Sequence, residues 1–115
     1  MKRDPRLYLD DILKSIMLLE KYLDGISKEQ FYLSEEKQDV AARRIEIIGE
    51  ATKRLSDDFK RQHTDIPWKT MAGMRDILIH QYDNIDLDVI WEAATRHIPP
   101  LKTQIQELLK EYSSD

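Results

Sequence analysis

The chain has 115 residues, no cysteine, 35% charged residues and a formal net charge of −4. That length fits one domain, taken here as residues 1–115, whose core needs no disulfide. The acidic balance excludes a generic polyanion binder held by a uniform positive field, and no apolar run approaches the roughly 20 residues of a membrane span. Met1 to Pro5 carries basic residues with no apolar signal region behind them. Together with the lack of cysteine, this leads us to expect a cytoplasmic location.

Apolar residues recur at helical spacing almost throughout, and no stretch alternates like a strand. The expectation is an all-α bundle of four main helices plus short helical turns. Asp4 followed by Pro5 opens the first helix, with a cap residue and then proline at the first helical position. Tyr8, Ile12, Ile16, Leu19 and Leu23 form its apolar stripe, which Leu9, Leu13 and Met17 widen. Gly25 ends it. Ser27 and Gln30 have the spacing of a capping box that opens a short turn through Phe31, Tyr32 and Leu33.

Ser34 caps the next helix, with Glu35 and Glu36 in its first turn. Val40, Ala41, Ile45, Ile48, Ala51, Thr52 and Leu55 are its core face. Gly49 sits mid-helix, where glycine costs about 1 kcal/mol relative to alanine; close helix packing would justify it. Glu46 and Glu50, four apart, read as ion-pair partners of Arg43, Lys53 or Arg54. Residues 56–66 are polar and connect to the next helix with one turn around Phe59. His63 in this connection reads as surface.

Pro67 and Trp68 open a third long helix carrying Met71, Met74, Leu78 and Ile79, which ends at Tyr82, Asp83 and Asn84. Asp86 caps the last helix, which runs through Ile90, His97, Leu101 and Ile105 to Tyr112. Pro99 and Pro100 must kink or break it. His97 reads as a helix-end residue, Trp68 and Trp91 as core or interface aromatics. Residues 113–115 are a frayed tail.

The chemistry concentrates in Arg75-Asp76-Ile77-Leu78-Ile79-His80-Gln81-Tyr82. Arginine is a permanent cation whose planar fork matches phosphate oxygens. Histidine exchanges protons near neutral pH, and tyrosine adds a hydroxyl. Such a set suits phosphodiester chemistry without a metal. The plainer reading, a helix end with three surface polar residues, stays open at this point. Arg75 and Tyr82 are seven apart and share a helix face. Asp76 and His80 are four apart, so the carboxylate can orient the imidazole. Arg75 and His80 diverge by about 140° on a straight helix. One rigid helix does not focus both on one phosphate, whereas two copies across a two-fold axis can.

Given such a site, the natural reaction is RNA cleavage by the neighbouring 2′-OH. His80 would serve as general base or acid, and Arg75 would stabilise the phosphorane charge. A 2′,3′-cyclic phosphate and a 5′-OH would result, and DNA would be inert. His63, His80 and His97 lack metal-ligand spacing, so no metal and no cofactor are expected. The basic pairs Arg43-Arg44, Lys53-Arg54 and Lys60-Arg61 are candidate local grips for nucleic acid, or simply solvated helix faces.

Taken together, several blocks resemble the HepT-type toxins of the HEPN superfamily. They are Asp4 to Ile12, the run Ala42-Arg43-Arg44-Ile45-Glu46-Ile47-Ile48-Gly49-Glu50-Ala51, residues Ile66 to Asp76, and the Arg-x4-His-x-Tyr signature at Arg75, His80 and Tyr82. The resemblance spans nearly the whole chain. It implies a helical homodimer with a cleft at the two-fold axis, and a metal-independent ribonuclease with Arg75 and His80 as the catalytic pair. RNA, transfer RNA among the candidates, is the implied substrate. It also implies a type II toxin–antitoxin system, whose MNT-domain nucleotidyltransferase antitoxin transfers AMP onto Tyr82. Part of the superfamily is non-catalytic, so a scaffold that binds a nucleotidyltransferase partner is the alternative.

Overall fold

Asp4 caps the first helix as its place before Pro5 predicts: its carboxylate accepts the Arg6 backbone N–H at 2.9 Å. The Arg6 side chain, then the Arg6 backbone N–H, hold that carboxyl below its usual pKa. The cap's charge-dependent contribution is therefore present above the ordinary carboxylate pKa and is lost as pH falls through the lowered value. The computed structural model describes residues 4–80 and 86–113, and of residues 77–80 and 113 the backbone alone. Among the described residues all regular structure is helical: α1 (Pro5–Leu23), α2 (Lys28–Tyr32), α3 (Glu35–Arg54), α4 (Asp57–Arg61), α5 (Trp68–His80), α6 (Leu87–Glu92), a π-helical turn (Ala93–His97) and α7 (Leu101–Ser113).

The predicted side-chain caps form. Ser27 and Gln30 exchange both capping-box hydrogen bonds, Ser34 accepts from Lys37 N–H, and Asp86 accepts from Asp88 and Val89 N–H. Ser56 caps α4, the turn expected around Phe59. Gly25, at φ +75°, ends α1 in the left-handed region that favours glycine.

Helix α3 packs on both α1 and α5, α7 packs on α1, and α6 on α2 and α3. Leu9, Ile12 and Ile16 of α1, Ile45 and Ile48 of α3, Met71 and Met74 of α5, and Ile105 and Leu108 of α7 share one buried core. Burying such side chains is the main stabilising term, roughly 1.5–3 kcal/mol each. Thr52 is fully buried, and its hydroxyl donates to Ile48 O at 2.7 Å, so no donor is stranded. Met17, expected to widen the α1 stripe, is instead half exposed.

The double proline breaks the last helix outright. A proline ring at position 99 would clash with the Thr95 carbonyl of a regular α-helix. The preceding turn widens instead, with Ile98 N–H donating to Ala93 O at 2.9 Å, and α7 begins anew at Leu101. His63 is not a surface residue. Its Nε2 lies 3.1 Å from the Tyr112 hydroxyl, its ring packs against Phe59, and its carbonyl accepts from Trp68 Nε1 at 2.9 Å. This cluster ties the start of α5 to the end of α7.

Phe31 is fully buried and meets the Trp91 ring at 5.3 Å, whereas the neighbouring Leu33 is 88% exposed. Phe31→Ala is therefore expected to lower stability by about 3–5 kcal/mol. Leu33→Ser should stay within about 0.5 kcal/mol of the parent. Urea unfolding of both variants checks the contrast; equal losses would contradict the assigned core.

Candidate active site

Helix α5 packs on α3, and Gly49 lies at their contact. A methyl group on Gly49 would fall 2.7 Å from the Arg75 backbone nitrogen and 2.8 Å from Arg75 Cβ. Those distances are below any normal contact, so the glycine lets the two backbones touch. This is the close packing that its place in mid-helix anticipates. Arg75 is thereby pressed against α3 from its backbone outward. The residue is only partly buried, yet its Nε is buried and finds no hydrogen-bond partner among the described residues. A guanidinium N–H out of water without an acceptor is costly.

Asp76 was expected to orient His80. Among the described side chains it forms an ion pair with Lys53 Nζ at 3.0 Å, reaching across to α3. Lys53 lies one turn beyond Gly49, so the same face of α3 holds two consecutive residues of α5. The backbone of His80 closes α5, five residues after Arg75. The His80 side chain and the whole of Tyr82 lie outside the described residues. Arg75, Asp76, Gly49 and Lys53 are thus brought together. Lys53 is the member that sequence reasoning assigned to a basic pair and to Glu46 or Glu50, although its spacing of four from Gly49 was a usable signal; it pairs with Asp76 instead.

The other charged candidates are largely engaged. Arg43 pairs with Glu46 at 2.8 Å and Arg54 with Glu50 at 3.0 Å, as their spacing predicts, and Arg61 pairs with Asp58. All are surface pairs, worth little individually and readily exchanged for a phosphate. Among the described residues, no group of three or more His, Cys, Asp or Glu converges as a metal site. His97 is exposed and lines a cavity of about 390 Å³ with Thr70, Met74 and Glu92; Arg75 takes no part in it. No described helix is long and apolar enough to cross a membrane.

Residues 12–108 match the family described as "Ribonuclease HepT-like". The chain belongs to the HepT-like ribonuclease family. It is 44% identical over 110 residues to the "Probable ribonuclease HepT" of Thermococcus cleftensis, covering 96% of this chain and all of that protein. It is 41% identical over 108 residues to a Caldanaerobacter subterraneus subsp. tengcongensis protein named "Putative RNase TTE0752", covering 94% of this chain and 96% of that one. A third relative, from Methanocaldococcus jannaschii, is named "Gamma-glutamylcyclotransferase and putative RNase MJ0434"; it is 44% identical over 111 residues, 96% of this chain, and the chain spans half of its length. No solved structure matches. In this HepT-like chain the family signature thus begins where α5 crosses α3.

The Lys53–Asp76 pair is exposed on both sides, so its net contribution to folding is expected to be at most about 1 kcal/mol. Lys53→Met should unfold in urea within that margin of the parent, and the difference should shrink at high salt. A loss several times larger, insensitive to salt, would show that the pair holds α5 in place.

Proposed function

We propose that the chain is a metal-independent ribonuclease acting as a homodimer, and that it is the toxin of a HepT/MntA-like toxin–antitoxin pair. The observation that carries the nuclease reading is Arg75: a permanent cation at the tight α3–α5 crossing, its Nε buried with no acceptor among the described residues, at the first position of the signature. Membership of a family described as ribonucleases supports it.

The chemistry follows from the residues. His80 removes the proton of the 2′-OH, or delivers one to the departing 5′ oxygen. Attack by the 2′ oxygen on phosphorus forms one P–O bond as the 5′ P–O bond breaks, leaving a 2′,3′-cyclic phosphate and a 5′-OH. Arg75 meets the charge that grows on the non-bridging oxygens. Because Arg75 and His80 diverge on one helix, the His80 acting with a given Arg75 comes from the second protomer. Asp76 supports the imidazole from the preceding turn.

Control comes from a partner nucleotidyltransferase with an MNT domain, which transfers AMP onto Tyr82. Arg75 and Tyr82 share a face of the helix in a regular continuation. A nucleotide on Tyr82 would set its phosphate beside Arg75, occupying the place of the substrate phosphate and neutralising the cation.

The free dimer is expected to cleave RNA in the presence of EDTA and to leave DNA of the same sequence intact. Arg75→Ala should lower kcat by about 10²–10³-fold and His80→Ala by about 10²–10⁴-fold, both with folding intact. Full activity in His80→Ala would remove that residue from the mechanism. No turnover by the parent, together with a stable complex with the nucleotidyltransferase, would establish a scaffold instead. Intact mass after co-expression with the partner should rise by one or more AMP units, and Tyr82→Phe should abolish the gain.

A further inference from the structure

Two α3 residues without a role in the chemistry above contact the signature directly. Gly49 touches the backbone and Cβ of Arg75, and Lys53 holds the carboxylate of Asp76. We propose that Gly49 and Lys53 are positioning residues for the Arg75 guanidinium, together acting as a jig that aims it at the substrate phosphate. The proposal deepens the nuclease reading and rests on it.

The argument is one of distance and charge. Arg75 Cβ lies against α3, so the first bond of its side chain is fixed by the helix crossing. An added methyl on Gly49 meets the Arg75 backbone nitrogen at 2.7 Å. No side-chain rotation relieves a clash with backbone, so α3 and α5 must move apart. The guanidinium, at the end of a long side chain, then shifts with them. Lys53 acts on the next residue. Its ammonium ties the Asp76 carboxylate to α3 at 3.0 Å, which sets the rotation of α5 about its own axis and so the direction in which Arg75 leaves it. Gly49 thus sets where Arg75 starts, and Lys53 sets how its helix is turned. Glycine in mid-helix carries a cost that such a role would justify.

The test uses Gly49→Ala, Lys53→Met and Lys53→Arg, read by RNA cleavage and by the NMR signal of the Arg75 Nε–H, assigned by its disappearance in Arg75→Lys. Gly49→Ala is expected to lower kcat on the order of ten- to a hundred-fold while KM stays within about three-fold, and to move the Arg75 signal. In an Arg75→Ala background the same substitution should have no further effect on residual cleavage, because the two act through one group. Lys53→Met should lower kcat and shift the signal in the same sense, and Lys53→Arg should restore both. Parent-like kcat and an unmoved signal in Gly49→Ala would overturn the proposal, as would a Gly49→Ala loss that multiplies with that of Arg75→Ala. If Gly49→Ala does not fold, Lys53→Met decides, since its pair is exposed and its fold should persist. If the parent protein cleaves no RNA, the nuclease reading fails, and the Arg75 signal alone decides whether these residues position the guanidinium.

Discussion

The contact between Gly49 and the backbone of Arg75 is the constraint on which the rest of this molecule depends. Helix α3 carries the core face that meets both α1 and α5, so its distance from α5 sets the packing of the bundle. The same distance sets the origin of the Arg75 side chain. Stability and chemistry therefore share one crossing. Any side chain at position 49 would push against backbone rather than against a movable group, and the structure has no soft neighbour there to absorb it.

Charge on the described surface is largely held in ion pairs. The chain is acidic overall, and several of its basic residues sit in exposed pairs with nearby carboxylates. A polyanion would meet no continuous positive field. It would instead meet pairs that open at little energetic cost, and the partly exposed Arg75 beside them. Such a surface favours recognition through a few specific phosphate contacts over strong non-specific binding.

The readable parts of the fold were those governed by local rules. Asp4-Pro5, Ser27 with Gln30, Ser34 and Asp86 each open the helix their side chains predict, because a cap depends only on residues within one turn. Gly49 could be read as a close crossing because glycine in mid-helix needs a reason. What lay beyond the sequence was set by tertiary neighbours. His63 looks like loop surface until Phe59, Trp68 and Tyr112 surround it. Asp76 is also reached by Lys53 from another helix, a partner that no local spacing announces. The two prolines announced a break, while the π-helical turn before them reflects how the chain recovers from it. At the site, the sequence located Arg75 and Asp76 on one helix but could not say that α3 grips both.

The central claim is that Arg75, presented by this crossing, works with an imidazole from a second copy of the chain. The most direct measurement mixes two inactive proteins, Arg75→Ala and His80→Ala, allows their protomers to exchange, and assays RNA cleavage. A heterodimer then holds one site with both groups intact, and cleavage should reappear on mixing. If both groups act within a single protomer, every site in the mixture lacks one of them, and continued silence after verified exchange would contradict the account.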